Sequence, residues 1–315
     1  QQRRSDYLFG GPMRTPMTAL WLLACACGDP NGPRAPERWG GNLPIDSDDA
    51  QSGQAINQSS SSSSDSEPAV ARPEERAEAR SAVLSFLFTE FASAEFSTFQ
   101  RLTADLAEST ATLCTTPSEA ALDASRDAWR AARVPQKRAE IVRFGPLEEY
   151  PERLRPKLDS WPVNSAAVEE LIAGEDDLTP ASFAFKGAAT RGMPVIEYLL
   201  WSPTEDTLTG LIGTPRRCEA LSGAAGDVYT NAQLLLQSWE ADWRLPLTTP
   251  RESGHKTYET KQDVLDEWVN RMVFTVENIR AEKLGKPAGD KTGGNLSLES
   301  LESRLSERSI QDALD

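Results

Sequence analysis

The sequence contains a single histidine, His255, in 315 residues. Sites in which two or three histidines hold zinc, copper or iron are therefore excluded. Any mechanism of the Ser-His-Asp or Cys-His type would have to run through His255 alone. Long hydrophobic runs are also missing, since no stretch reaches the roughly 18 consecutive apolar residues that mark a membrane-spanning helix.

Basic residues are scarce relative to acidic ones. Lys and Arg number 33 and Asp and Glu number 48, so the formal net charge is −15. A chain this acidic lacks the cations that release counterions from DNA or RNA, and nucleic acid is not expected as a partner. Hydrophobic residues make up 39% of the chain, which is enough for a sizeable core, and the length allows one or two domains.

Residues 1–27 have the pattern of a secretory signal peptide, with Arg14 ahead of a short apolar run and small residues after it. The sequence L-L-A-C at 22–25 resembles the lipobox of bacterial lipoproteins, in which the cysteine is acylated after cleavage. We therefore predict that Cys25 is lipidated and that its acyl chains attach the protein to a membrane. Cys27 is a weaker candidate, and a wrongly assigned start of the chain is the alternative explanation.

Residues 28–73 are rich in Ser, Pro, Gly, Asn and Asp and include six consecutive serines, 59–64. Large apolar side chains are too scarce there to offset the entropy of the chain, so a disordered tether is predicted. Signal, lipobox and tether together predict a lipid-anchored protein of the bacterial cell envelope, at the outer membrane or facing the periplasm. The absence of Asp after Cys25 favours the outer membrane.

Residues 74–315 have the apolar spacing of helices. Steps of three and four separate the apolar residues, so an all-α domain is predicted. The clearest stripe runs from Cys218 to Trp239 and is typical of a helix in a bundle. A further helix is predicted over 261–284, with these residues facing inward: Leu265, Trp268, Met272, Val276 and Ile279. Because the helical pattern of 306–314 stops at the chain end, we expect a C-terminally truncated domain.

The region from Phe144 to Leu211 is broken by Gly and Pro into short segments. Irregular connections held on a rigid bundle are where sites usually lie, so we look for the site there. The body also holds two cysteines, Cys114 and Cys218. In an exported chain an even pair is more often a disulfide than two free thiols, and a Cys114–Cys218 bond is predicted. Two buried thiols are the alternative.

Several short blocks follow one another in a fixed order between residues 80 and 315. They are Ala128–Arg133, Glu140 with the R-F-G-P of 143–146, Asp159–Val163, Lys186-Gly187, Arg191–Trp201, the L-G-K-P of 284–287 and the E-S-R-L-S-E-R-S of 302–309. Together they resemble blocks of the imelysin-like family, whose central segment is G-x-H-x-x-E-Y-L-L. Gly192 and Glu197 match that segment, whereas Pro194 stands where the family has histidine.

The resemblance implies an all-helical body of two bundle-like halves, with the central segment near their junction. Members of the family are exported or lipid-anchored bacterial proteins. Some were described as peptidases, and others belong to periplasmic iron-uptake systems. An exported or lipid-anchored location is also what the signal and tether pattern predicts, independently of the family.

The proline removes the chemistry that a histidine and a glutamate one turn apart could share, because it can neither bind a metal nor transfer a proton. Pro194 is instead suited to the first helical position, which would place Glu197 in the first turn, near the positive end of the helix dipole. A purely structural role for Glu197, paired with Arg191 or with a backbone N–H, is therefore one interpretation.

The functional interpretation is that Glu197 belongs to a ligand-binding pocket. The residues expected to complete it are Arg133, Glu140, Arg143, Asp159 and Arg191. Arginines bind carboxylate or phosphate groups of a ligand in a bidentate manner. Carboxylates without histidine suit Ca²⁺, Mg²⁺ or an Fe³⁺-like ion, so any metal cofactor is expected on Glu197 and its acidic neighbours. An interhelical salt-bridge network of Arg133, Glu140 and Arg143 is the alternative.

The leading functional hypothesis is a non-catalytic envelope lipoprotein that binds a ligand or a metal, with a link to iron. A metallopeptidase of the imelysin type is the first alternative, although neither a zinc-peptidase motif nor a catalytic dyad can be assembled from this sequence. His255 lies in a Gly-His-Lys loop and is expected to be a surface residue. A structural lipoprotein that binds a protein partner is the second alternative.

Overall fold

The computed structural model describes residues 72–201, 206–288, 299–300 and 303–314. The signal peptide, the lipobox with Cys25 and nearly all of the tether predicted from the sequence lie outside these residues. The regular structure of the described residues is helical, without a strand, which confirms the all-α prediction. None of the described helices combines the length and the apolar character needed to cross a membrane.

The helices vary from long bundle helices to single turns. Their bounds are α1 Pro73–Ser85, α2 Ala92–Thr115, α3 Glu119–Arg138, α4 Arg155–Leu158, α5 Ser165–Ala173, α6 Pro180–Phe183, α7 Met193–Leu200, α8 Thr207–Gly213, α9 Pro215–Ser238, α10 Arg244–Thr248, α11 Pro250–Ser253, α12 Lys261–Asn278, α13 Lys286–Ala288 and α14 Ser306–Leu314. Wider π-helical turns extend three of these helices, at Phe86–Phe91, Trp239–Trp243 and Ile279–Gly285.

The three long helices α2, α3 and α9 form the centre of the described body, with α2 packed between the other two. α2 buries apolar residues at helical spacing, including Phe96, Phe99 and Leu106. α9 presents small residues to its neighbours, and a Cβ atom at Gly223 would lie 1.9 Å from the carbonyl oxygen of Leu178. The absence of a side chain at Gly223 therefore allows the chain before α6 to pack directly on α9.

The two body cysteines join the ends of two of these helices. Cys114 lies in the last turn of α2 and Cys218 in the first turn of α9. Their Cα atoms are 5.4 Å apart and their sulfurs are bonded, which confirms the predicted disulfide. The bond fixes the packing of α2 against α9 at one end of the bundle.

The buried face of α12 differs from the predicted one at a single named residue, Val276. Val276, expected to point inward, is 58% exposed, whereas Thr275 is 3% exposed. The Thr275 hydroxyl donates a hydrogen bond to the carbonyl oxygen of Arg271, one turn earlier, so this polar residue can be buried without an unsatisfied donor. Ile279 is buried as predicted, and Leu265 and Trp268 pack partly buried against the core, so Val276 is the exception in the predicted stripe.

Candidate functional site: a cavity beside a buried ionic cluster

The central motif opens helix α7. Gly192 is its N-cap, with φ 85° and ψ −174°, a backbone conformation that is essentially restricted to glycine. A Cβ atom at this position would also lie 2.7 Å from the carbonyl oxygen of Leu158. Met193 is the first residue of α7, so Pro194 is the second rather than the first, still within the turn that tolerates proline.

Glu197 follows on α7 and is 4% exposed. Its Oε1 accepts hydrogen bonds from the backbone N–H of Ser303 at 2.9 Å and from the Ser303 hydroxyl at 2.6 Å. Arg133 also interacts with this carboxylate electrostatically. The structural interpretation predicted a backbone N–H or Arg191 as the partner. The backbone donor is present but comes from Ser303, whereas the pairing with Arg191 is wrong.

Arg191 pairs with Asp227 of α9. Its Nε and Nη2 donate to the two carboxylate oxygens at 2.9 and 2.5 Å, and its Nη1 donates to the carbonyl oxygen of Ala184. Both charged side chains are almost fully buried. Arg191 therefore holds the segment before α7 onto α9, apart from Glu197.

A buried group of charged side chains, here called the ionic cluster, surrounds Arg133 and Lys137 in the C-terminal half of α3. Its members are Arg133, Lys137, Glu140, Asp159, Lys283 and Glu299. Lys137 Nζ lies 2.6 Å from Glu140 Oε1 and 2.7 Å from Asp159 Oδ2, and it also contacts Glu299. Arg133 donates to Asp159 and Glu299, and Lys283 donates to Glu140. Three cations thus neutralise three carboxylates.

The pKa values of these groups are shifted so that the charges persist. Burial alone would raise the pKa of Glu299, but Lys137, Lys283 and Arg133 outweigh burial and lower it to about 2. The pKa of Asp159 is lowered in the same way, by Arg133 and Lys137 against the effect of burial. For Lys137, burial and Arg133 lower the pKa, yet the surrounding carboxylates leave it raised overall. Lys137, Asp159 and Glu299 are therefore ionised at neutral pH.

A cavity of about 190 Å³ adjoins the ionic cluster. One wall consists of cluster residues such as Lys137, Asp159 and Glu299, and apolar side chains including Phe99 and Leu235 contribute to the rest of the lining. We call it the cluster cavity. A volume of this size holds a small molecule or several waters.

Two arginines outside the ionic cluster also line the cluster cavity. Arg143 and Arg155 line it and share a single carboxylate, Glu148, at 3.3 and 2.5 Å. Burial and the nearby Arg155 charge lower the pKa of Arg143. The lining as a whole is balanced, because its four cations, Lys137, Arg143, Arg155 and Lys283, are matched by four carboxylates, Glu140, Asp159, Glu282 and Glu299.

Three residues that line the cluster cavity carry buried polar atoms without a hydrogen-bond partner among the described residues. They are Nε2 of Gln136, Nε of Arg143 and Oε2 of Glu299. Such orphaned atoms are uncommon in folded proteins because each one costs free energy. Two of the three still lie in ion pairs, since Arg143 Nε is 3.3 Å from Glu148 Oε1 and Glu299 Oε2 is 3.3 Å from Lys283 Nζ. Nε2 of Gln136 is therefore the donor to which an oxygen-rich ligand would give an acceptor.

The surroundings of Glu197 do not match a metal site. The described residues contain no group of three or more His, Cys, Asp or Glu side chains that could hold a metal ion. The groups that contact Glu197 include the N–H and hydroxyl of Ser303 and the charge of Arg133. The Ser303 donors already use the Glu197 carboxylate, and the positive charge of Arg133 would repel a metal ion there. These residues therefore do not fit a bound metal.

The structure therefore brings together most of the site residues predicted from the sequence. Arg133, Glu140 and Asp159 belong to the ionic cluster, Arg143 lines the cluster cavity, and Glu197 interacts with Arg133. Arg191 lies outside this group. Sequence reasoning missed Lys137, Arg155, Lys283, Glu299 and Ser303. Lys137 had a signal, because it lies four residues after Arg133 and three before Glu140 on one helix face.

The single histidine lies in a different environment. His255 is half-buried rather than a surface residue, and its ring stacks on Tyr258 with centroids 4.9 Å apart. Its Nδ1 accepts hydrogen bonds from the N–H groups of Thr257 and Tyr258, and burial lowers its pKa. The imidazole thus stabilises a turn as a neutral acceptor.

A family model for Imelysin, peptidase M75, matches residues 92–315. The chain belongs to the imelysin family. Iron-regulated protein A of Synechococcus elongatus is 27% identical over 180 residues, which make up 54% of this imelysin-family chain and 45% of that protein. The chain therefore aligns with less than half of this relative's length.

Two solved structures share the fold of this imelysin-family chain. An imelysin-like protein from Psychrobacter arcticum 273-4 superposes with a TM-score of 0.63. A protein from Parabacteroides distasonis ATCC 8503, proposed to be an iron-regulated protein A precursor, superposes with a TM-score of 0.65. Each is 20% identical, and each comparison covers 76% of this chain and 72% of the other.

Proposed function

We propose that this imelysin-family protein is a non-catalytic, lipid-anchored protein of the bacterial cell envelope that binds a small anionic ligand in the cluster cavity, with a role in iron physiology. The name of the Synechococcus relative supports the link to iron. The lipobox at 22–25 supports the anchor and the envelope. The proposal that the protein binds a ligand is supported by the residues that line the cluster cavity.

The observation that carries the proposal is the pair of arginines, Arg143 and Arg155, that lines the cluster cavity and shares one carboxylate, Glu148. Nε2 of Gln136, in the same lining, has no hydrogen-bond partner among the described residues. Arginine binds carboxylates through two parallel hydrogen bonds, which gives both affinity and orientation. A ligand with carboxylate groups would offer acceptors to the two arginines and to Gln136.

The link to iron is compatible with this chemistry when the iron arrives as an anionic chelate. The described residues offer no set of ligands for a bare ion. A ferric ion wrapped in a citrate-type chelator presents carboxylate oxygens on its outside, and these are suited to arginines. We therefore assign the chelate, rather than the free ion, as the ligand class.

Isothermal titration tests this assignment. Citrate and its ferric complex should bind the protein saturably, whereas Ca²⁺ should give no heat beyond dilution. The variant Arg155→Gln should weaken citrate binding about tenfold, because it removes one charge-assisted contact worth roughly 1.5–3 kcal/mol. The exposed Arg251 provides the matched control, and Arg251→Gln should bind as the wild type does. Folded protein that binds neither citrate nor its ferric complex would contradict the proposal.

The metallopeptidase alternative is supported by the peptidase name of the family model. Pro194 in place of the histidine and the donors around Glu197 weigh against it. The alternative predicts chelator-sensitive cleavage of a denatured protein substrate that Glu197→Gln abolishes. If the purified protein cleaves nothing in the presence of Zn²⁺, Mn²⁺ or Fe²⁺, this alternative fails.

A further inference from the structure

The segment 150–158 lines two openings. Its Arg155 belongs to the cluster cavity, and other residues of it line a second cleft. This cleft has a volume of about 420 Å³, and we call it the cationic cleft. Its charged lining residues are Glu152, Arg153, Lys157, Lys186 and Arg191, with Tyr150 beside them. The two openings use different residues of the same segment, so they are separate sites.

The charges of the cationic cleft do not balance. Arg191 is neutralised by Asp227, and Lys186 Nζ lies 2.7 Å from Asp176. Arg153 and Lys157 have no carboxylate within ion-pair distance among the described residues. Glu152 also lines the cleft, so one net positive charge is left over in a protein whose overall net charge is −15.

The acidic residues nearest in sequence have partners elsewhere. Glu148 pairs with Arg155 and Arg143, at the cluster cavity. Glu152 lines the cleft, but its Oε1 accepts a hydrogen bond from the Ser238 hydroxyl of α9 at 3.2 Å. The Ser238 hydroxyl carries no charge, so Glu152 stays negative in the lining and offsets one of the two cations, Arg153 and Lys157.

Arg153 is held in place by its own backbone and by Tyr150. Its φ is 42°, in the left-handed region, which is unfavourable for a residue other than glycine. Its guanidinium lies 5.5 Å from the centre of the Tyr150 ring, and Nη1 donates to the Tyr150 hydroxyl at 3.0 Å. Tyr150 is itself 77% exposed, so the pair forms an aromatic and cationic edge that solvent can reach.

We propose that the cationic cleft binds a phosphate group, presented as free phosphate or as the headgroup of an anionic lipid. Arg153 supplies a planar fork of N–H donors and Lys157 a mobile point charge, a combination that is well suited to phosphate oxygens. The cleft is open, so the phosphate can belong to a larger molecule. This inference concerns a site distinct from the cluster cavity and does not depend on the proposed function.

The test uses the full-length chain in a Cys25→Ser background, so that no acyl chain contributes to binding. Inorganic phosphate is titrated calorimetrically, and co-sedimentation is measured with vesicles of phosphatidylglycerol and of phosphatidylcholine. The double variant Arg153→Asn, Lys157→Gln removes both charges, and asparagine tolerates the left-handed backbone. Lys256→Gln is the control, because Lys256 is exposed and does not line the cleft.

The double variant should lose about tenfold or more in affinity, and the control should bind as the wild type does. Binding of phosphate alone identifies free phosphate as the source. Binding of phosphatidylglycerol but not phosphatidylcholine vesicles, reversed by phosphate, identifies the headgroup. A wild type that binds neither, or a double variant that binds as well as the wild type, overturns the proposal. If the double variant unfolds, Lys157→Gln alone must show a reduced affinity, and an unchanged affinity overturns it.

Discussion

Lys137 shows at the scale of one residue why the ionic cluster holds together. Its side chain is 1% exposed, and its ammonium group contacts Glu140, Asp159 and Glu299. An isolated ammonium group in the protein interior would cost several kcal/mol, because it loses its hydration. Three carboxylates replace that hydration here. The carboxylates depend equally on the cations, so protonating any of them weakens the whole group.

Acid should therefore destabilise the fold through Glu299. Its folded pKa of about 2 is below the unfolded value of 4.5, so ionised Glu299 stabilises the protein at neutral pH. That contribution, about 3 kcal/mol for 2.5 pKa units, is lost as the pH falls from 4.5 to about 2. Urea unfolding of the wild type between pH 7 and pH 2 should show this loss.

The comparison variant for this prediction is Glu299→Gln. It should be less stable than the wild type at pH 7, and the gap should narrow as the pH approaches 2. Glu78→Gln, at an exposed position of α1, should follow the wild type throughout. A gap between Glu299→Gln and the wild type that stays constant with pH would show that the charge of Glu299 does not stabilise the fold.

At the scale of the helices, the sequence predicted what is local and missed what depends on packing. Apolar spacing identified α9 and α12 because helical periodicity is a property of neighbouring residues. It was wrong at Val276 of α12, because Thr275 is buried there instead and satisfies its hydroxyl with a hydrogen bond within the helix. Spacing also gave no indication that Glu299 would meet Lys137 or that Lys283 would meet Glu140, because each of these contacts joins residues more than a hundred positions apart.

The disulfide between α2 and α9 provides a prediction at this scale. It closes a loop with a sequence separation of 104 residues, which restricts the unfolded chain strongly. The double variant Cys114→Ser, Cys218→Ser should lose about 2–4 kcal/mol of unfolding free energy in urea. Alkylation and intact-mass measurement before and after reduction report the bond directly. Two free thiols in protein isolated from the periplasm would contradict it.

At the scale of the whole molecule, the segment from Tyr150 to Leu158 separates two charged openings. Arg155 and Leu158 line the cluster cavity, and Tyr150, Arg153 and Lys157 line the cationic cleft. The sequence predicted that this Gly- and Pro-rich region would carry the site, because such connections cannot form long helices. It did not predict two openings, since neighbouring residues of an irregular segment have no fixed period.

The anchor predicted at Cys25 is testable in a bacterial host. Cells grown with labelled palmitate should incorporate the label into the wild-type protein, which should fractionate with membranes. Cys25→Ser should lose the label and leave the membrane fraction, because the acyl chains are the proposed attachment. Cys27→Ser is the matched control and should keep the label. Labelling that persists in Cys25→Ser but disappears in Cys27→Ser would move the anchor to the second cysteine.

The contacts of Glu299 and Ser303 also determine when the ionic cluster can be completed. A ribosome makes Arg133 and Lys137 more than 160 residues before Glu299. Until residue 299 has been made and has reached α3, the two cations have one carboxylate fewer and Glu197 lacks the Ser303 donors. The complete ionic cluster is therefore a late product of chain synthesis, and a nascent chain that stalls before residue 299 lacks its last carboxylate.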